Sequence, residues 1–141
     1  MKQSVLFLCT GNSARSQMAE GWLRHLAGDR YEVFSAGTKP VGLNPGSVEA
    51  MAEVGIDIAR HRSKHVEEYA MQAIDYVVTV CDRAKETCPL WPGRTTVIHW
   101  SFDDPAAVAD MEDRRRVFRR VRDEIASAIR RFLADREQER V

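Results

Sequence analysis

No stretch of this sequence is apolar for long enough to cross a membrane, which takes about 20 residues. The first apolar run, Val5 to Leu8, is too short even for the core of a secretory signal, and only Lys2 precedes it as a charge. An excess of one charge is also missing: 21 Lys and Arg balance 21 Asp and Glu. Net charge therefore argues neither for nor against an acidic partner. Cysteine is scarce and odd in number, three in 141 residues, so the three cannot all pair with one another. A secreted disulfide framework is thereby disfavoured, and a reduced, cytoplasmic protein is expected. Repeats, low-complexity tracts and long linkers are absent. What is present is a globular composition, 44% apolar and 30% charged, of a length that suits one core. A single domain over 1–141, without membrane contact and monomeric, is expected.

Periodicity predicts a buried strand from Ser4 to Cys9 and a helix from Ser13 to Ala27, with Met18, Ala19, Trp22, Leu23 and Leu26 at helical spacing. A second strand runs from Tyr31 to Ser35 and ends at Gly37. In "LNPGSVEAMAEVG", Asn44 reads as an N-cap, Pro45 as the first helical residue and Gly55 as the stop. "HVEEYAMQAI" reads as a short helix, "DYVVTVC" as a strand ending at Cys81, and "RTTVIHW" as a shorter strand. From about Asp110 to Arg136 a long helix carries one apolar stripe through Val117, Val121, Ile125, Ala128 and Phe132. Its arginines alternate with Glu112, Asp113, Asp123 and Glu124, which describes a solvated face and not a nucleic-acid surface. Strands alternating with helices predict an α/β sandwich, a parallel sheet covered on both faces. Ligands of such sheets gather at the carboxyl ends of strands, where Cys9 and Cys81 both fall.

"CTGNSAR" has the spacing Cys-x5-Arg, but so does "CPLWPGR" from Cys88 to Arg94. The second copy holds two prolines, lacks a preceding strand and runs into one, so it is set aside. The first lies between strand and helix. Gly11 permits close backbone approach, and the small residues Thr10, Ser13 and Ala14 leave room for amide N–H groups to turn inward beside Asn12. Such a ring at a helix N-terminus cradles tetrahedral oxyanions. Arg15 adds a forked contact to two oxygens. The loop lacks the Gly-Lys-Ser/Thr ending of a Walker loop. The same helix end and Arg15 favour a thiolate at Cys9, and Ser16 or Ser13 can add a hydroxyl hydrogen bond to the sulfur. A nucleophile that expels oxygen needs an acid, and Asp104, fixed before Pro105, can supply the proton. The plainer alternatives are a buried cysteine in a tight turn and a turn-capping aspartate. Among His25, His61, His65 and His99, only His61 and His65 have metal-ligand spacing, and they lie in a basic stretch expected to be exposed, so no metal is expected.

These residues together resemble the low-molecular-weight protein tyrosine phosphatase fold family, and within it the thioredoxin-coupled arsenate reductases. "FLCTGNSARSQMAEGW", "SAG", "GLNP", "AMAEVGIDI", "VVTVC", "CP", "HWSFDDPA" and "RVRDEI" follow that pattern in order along nearly the whole chain. The resemblance implies a four-stranded parallel sheet with helices on both sides. It implies that Cys9 is the nucleophile, Arg15 the oxyanion clamp and Asp104 the general acid. Cys81 and Cys88 are then two further redox thiols, with no bound cofactor and thioredoxin as the external reductant. A second loop cysteine, often present in the family just before the arginine, is replaced by Ala14. Some members bind potassium near the loop. Asn12, Glu20 and Ser35 match that site, but Lys64 stands at the matching carboxylate position. The expectation is that the Lys64 ammonium replaces the cation and pairs with Glu20.

Under this resemblance arsenate, a phosphate-shaped anion, is reduced to arsenite by two electrons from two thiols. Cys9 attacks arsenic, Cys81 attacks Cys9 and releases arsenite, and Cys88 moves the disulfide outward. Cys81 and Cys88 are seven residues apart. On a helix that spacing is about 10 Å along the axis, whereas a disulfide needs Cα atoms within about 7 Å. The segment is therefore expected to unwind on oxidation. Two other readings stand beside this one. The first is a phosphatase, with weak phosphatase activity expected in any case. The second is a non-enzymatic binder of arsenite or another oxyanion.

Overall fold

The computed structural model describes residues 2–80 and 95–137 in full and the backbone of 138–139. Cys81 and Cys88, and the second Cys-x5-Arg segment, lie outside the described residues.

Strand β1 (Gln3–Cys9) is buried from Ser4 onward on both faces, as its unbroken apolar run dictates for a central parallel strand. It leads through a short loop into helix α1 (Arg15–Ala27), two residues shorter at its start than periodicity predicts, because 13 and 14 stay in the loop. Strand β2 (Tyr31–Gly37) continues past Ser35 to pair Gly37 with Cys9. Helix α2 (Pro45–Ala52) begins as expected: Asn44 Oδ1 accepts from the Gly46 amide at 2.8 Å, and Gly55 beyond its end has φ +80°. The predicted helix near Tyr69 is one 3-10 turn, Val66–Tyr69. Strands β3 (Tyr76–Thr79) and β4 (Thr96–His99) complete the sheet, and α3 (Met111–Glu139) closes the chain.

All three strand pairings are parallel and the order is β2-β1-β3-β4. The chain runs outward from β1 in both directions, so a crevice opens at the carboxyl end of β1, where the order switches. Side-chain alternation assigns the layers. Leu6 and Phe34 share one face, where Phe34 meets Tyr69 of the 3-10 turn. Phe7 and Ser35 share the other, where Phe7 meets Trp100, Trp100 meets Phe132 of α3, and Ser35 meets Glu20 of α1. The stripe of α3 buries Phe118, Val121, Ile125, Ile129, Phe132 and Leu133. Each such side chain contributes about 1.5–3 kcal/mol. Arg122 departs from the solvated arginine face: it is buried, and its guanidinium bonds the Ala50 carbonyl and Glu53 across the α2–α3 junction. Among the described residues no helix is long and apolar enough to cross a membrane.

Candidate active site

The loop between β1 and α1 is held from outside by its own carbonyls. The oxygens of Cys9, Thr10, Gly11 and Ser13 accept from the amides of Thr38, Lys39, Val41 and Asn44 at 2.8–3.2 Å. The Asn12 carbonyl accepts from Gln17 Nε2 at 3.1 Å, and Ser63 adds a second donor to Gly11. With the carbonyl ends tied outward, the amide dipoles of the loop turn inward. Ala14 offers no capping side chain to α1, and its first turn carries no acid. The positive end of the helix therefore faces the crevice without an internal counter-charge.

Two residues make this path possible. Asn12 has φ +46°, left-handed backbone that asparagine tolerates better than most residues. Gly37 lies against the loop so closely that a Cβ there would stand 2.5 Å from the Thr10 oxygen and 2.8 Å from the Asn12 nitrogen. In the sequence Gly37 reads only as a strand terminator.

The Cys9 sulfur is buried at the base of the loop. It lies 3.1 Å from the Asn12 amide, which donates to it, and 2.8 Å from Ser16 Oγ. The direction of the second bond follows from the network behind it. Asn12 Oδ1 accepts from the Lys64 amide and from Gln17 Nε2, so Asn12 Nδ2 faces Ser16 Oγ at 2.8 Å and Ser35 Oγ at 3.0 Å and donates to both. Ser16 Oγ is thus already an acceptor from Asn12, and its own hydrogen is left for the sulfur. Two donors on one sulfur stabilise its anionic form. Of the two serines expected near the sulfur, Ser16 is the one bonded to it.

The chain of hydrogen bonds continues from Ser35, which donates to Glu20 Oε1. Around Glu20 stand Arg24 NH1 at 2.7 Å, Lys64 Nζ at 3.6 Å and His61 Nδ1 at 3.6 Å. Burial opposes ionisation of Glu20, but the Ser35 bond and the charges of Lys64, His61 and Arg24 more than offset it and hold the carboxyl below its ordinary range. Burial lowers His61, against the pull of Glu20, with Arg24 and Lys64 acting in the same direction as burial. Burial likewise lowers Lys64, and Glu20 restores only part of the loss. Lys64 also donates to the Arg62 carbonyl at 2.7 Å. His61 is mostly buried and bonded to Gln17 Oε1 at 3.1 Å, which corrects its expected exposure. A polar stripe was visible in advance on α1: Ser16, Gln17, Glu20 and Arg24 recur at helical spacing, and the first three are buried. Among the described residues no group of three or more His, Cys, Asp or Glu is placed to hold a metal.

The crevice itself is a cleft of about 710 Å³. Cys9 lies at its base and Arg15 on its wall, and Asp104 lines it across from the loop. Arg15 NH1 donates to the Phe102 carbonyl at 3.0 Å, and NH2 stands 3.8 Å from Asp104 Oδ2. Asp104 is also a turn cap, its Oδ1 accepting from the Ala106 amide at 3.0 Å. One carboxylate oxygen fixes the Pro105–Ala107 turn and the other faces the arginine, so Asp104 is a turn cap whose second oxygen stays at the cleft. Asp103 points away, to Arg120 at 2.8 Å. Lys39 and Val41 also line the cleft, and no motif in the sequence marks either.

An inward-turned loop over a buried cysteine, a following arginine and a facing aspartate thus meet in one cleft of a β2-β1-β3-β4 parallel sheet. Residues 4–141 match the family described as low molecular weight phosphotyrosine protein phosphatase, and the chain belongs to that family. It is 48% identical over 132 residues to an arsenate reductase of Halalkalibacterium halodurans, covering 93% of this chain and 95% of that one. An arsenate reductase solved in its phosphate binding state superposes with TM-score 0.78 at 28% identity, over 94% of this chain and 98% of that one. The thioredoxin-dependent arsenate reductase of Corynebacterium glutamicum gives TM-score 0.77 at 28% identity, over 98% of this chain and 63% of that one.

Proposed function

We propose that this chain reduces arsenate to arsenite in a reducing cytoplasm, using Cys9, Cys81 and Cys88 in turn and thioredoxin as the electron donor. The observation that carries the chemistry is the seat of the Cys9 sulfur, with the Asn12 amide and the Ser16 hydroxyl both donating to it under an inward-turned loop. The choice of arsenate rests on relatives of that name at nearly half identity. The choice of thioredoxin is supported by the Corynebacterium enzyme.

In this mechanism the loop amides and Arg15 hold three oxygens of the anion and leave the fourth toward Asp104. The Cys9 thiolate forms a bond to arsenic(V). The fourth oxygen leaves as water with the proton Asp104 gives it. The Cys81 thiolate then attacks the Cys9 sulfur. The S–As bond breaks with its electron pair passing to arsenic, which departs as arsenite, and a Cys9–Cys81 disulfide remains. Cys88 attacks Cys81, Cys9 leaves as thiolate, and the Cys81–Cys88 disulfide is presented to thioredoxin. Two thiols lose two electrons and arsenic gains two. Within the loop, Ala14 leaves no second sulfur to divert the relay. We propose further that the Lys64 ammonium beside Glu20 does the work of a bound potassium ion.

A phosphatase reading shares the first step, and the family itself favours it as a side activity. Against it as the main role, Ala106 follows the Asp104–Pro105 pair in the cleft, and Ala107 comes next, where an aromatic wall would grip a phosphotyrosine ring. A passive oxyanion or arsenite binder would use Asp104 as the turn cap alone and would have no use for its second oxygen as a proton donor at the cleft. The test is arsenate-dependent NADPH oxidation with thioredoxin and thioredoxin reductase. Wild type is expected to turn over continuously and Cys88→Ser to stop. No turnover by wild type, with fast hydrolysis of p-nitrophenyl phosphate, would replace this reading with the phosphatase.

A further inference from the structure

We infer that Lys39 is the residue that sets the charge preference of the cleft, recruiting dianionic tetrahedral oxyanions to a site whose other charged side chains give them no net attraction. The inference rests on the oxyanion-binding reading above and goes beyond it by assigning a specificity role outside the loop. The described residues that line the cleft include four that carry charge during the reaction: Arg15, Lys39, Asp104 and the Cys9 thiolate. Arg15 shares the cleft with the Cys9 thiolate and lies 3.8 Å from Asp104, so its charge is answered within the protein by the thiolate first and by Asp104 once that residue has given up its proton. While Asp104 holds the proton it donates, Arg15 and the Cys9 thiolate cancel, and once Asp104 has given that proton the three groups are net negative; arsenate itself arrives as a monoanion or dianion. Lys39 supplies the missing positive charge. No carboxylate among the described residues lies within ion-pair distance of its ammonium, in contrast to Arg24, Arg62, Lys64, Arg119 and Arg120.

Its backbone is fixed in place. The Lys39 amide donates to the Thr10 carbonyl at 2.8 Å, which ties it to the cradle itself, and Pro40 restricts its conformation from the other side. The side chain is exposed at the mouth and not built into the base. A cation so placed acts through the field of the cleft, on any anion of the right charge, and does not distinguish arsenic from phosphorus.

The test uses a Cys81→Ser/Cys88→Ser background, in which Cys9 is the one thiol left, alkylated by anionic iodoacetate and by neutral iodoacetamide. The ratio of the two rates reports the field at the sulfur, because both reagents see the same thiolate population. Lys39→Ala is expected to lower that ratio about 3- to 10-fold and to flatten its dependence on salt, and Lys39→Arg to retain it. Protection of Cys9 by arsenate and by inorganic phosphate should weaken by the same factor in Lys39→Ala. An unchanged ratio and salt slope, or weaker protection by arsenate with unaltered protection by phosphate, would overturn the inference. These readouts need no turnover. A chain inactive toward arsenate but showing Lys39-dependent selectivity would remove the proposed function and leave this assignment standing.

Discussion

Replacing Ser16 by alanine removes one of the two donors to the Cys9 sulfur while leaving the loop path intact, since the loop is held by its carbonyls and by Asn12. A hydrogen bond to a charged group contributes about 1.5–3 kcal/mol. At about 2 kcal/mol the thiolate fraction below the titration midpoint falls roughly 30-fold. The thiolate that remains is more basic and therefore more nucleophilic, with a sensitivity of about 0.5, which recovers roughly 5-fold. The net expectation is alkylation by iodoacetamide about 5-fold slower than wild type at mildly acidic pH and about 5-fold faster at a pH where both are fully ionised. The two pH–rate curves must therefore cross. The assay is a pH series on the Cys81→Ser/Cys88→Ser background, with thiolate absorbance as an independent readout. Curves that coincide, or that differ by one factor at every pH, would refute the claim that the Ser16 hydrogen points at sulfur.

Gly37→Ala should push a methyl into the Thr10 carbonyl and the Asn12 amide; circular dichroism melts are expected to show a loss of about 1–3 kcal/mol, and phosphate should no longer protect Cys9. Both His61 and Glu20 titrate lower in the fold than their ordinary values of 6.5 and 4.5, so the unfolded chain binds more protons in each window and stability rises with pH there. Urea unfolding should therefore show stability falling below about pH 6.5 through His61 and again below about pH 4.5 through Glu20, and His61→Gln should lack the upper step. Exchanging sodium for potassium should leave the melting temperature of wild type unchanged, whereas Lys64→Met should melt lower by about 1–3 kcal/mol equivalent and regain part of the loss in potassium. A large gain by wild type in potassium would show that Lys64 does not replace the ion.

Much of this architecture is legible in the sequence because its signals are local and mutually consistent. Val5 to Cys9 is apolar without alternation, as a strand buried on both faces must be, and Asn44, Pro45 and Gly55 mark α2 by cap chemistry alone. The loop was legible because Gly11, Arg15 and the start of a helix occur together. What stayed hidden depends on tertiary approach. The closeness of Gly37 to Thr10 arises only when β2 pairs with β1. His61 is in a stretch that reads as polar and exposed, yet Gln17 and Glu20 draw it against α1. Lys39 reads as an ordinary loop lysine until the Thr10 carbonyl fixes its backbone at the cleft. Arg122 carries the charge of a surface residue and the position of a core one, because the Ala50 carbonyl and Glu53 satisfy it in place.

The central claim, that three thiols act in sequence from a phosphatase-like cradle, is tested most directly by stoichiometry in the absence of thioredoxin. Fully reduced wild type mixed with excess arsenate should release one arsenite per chain, lose two thiols and yield a Cys81–Cys88 disulfide in peptide mass spectra. Cys88→Ser should also release one arsenite but end with Cys9 joined to Cys81. Arsenite release by Cys88→Ser without a Cys9–Cys81 disulfide, or no arsenite from wild type, would contradict the account.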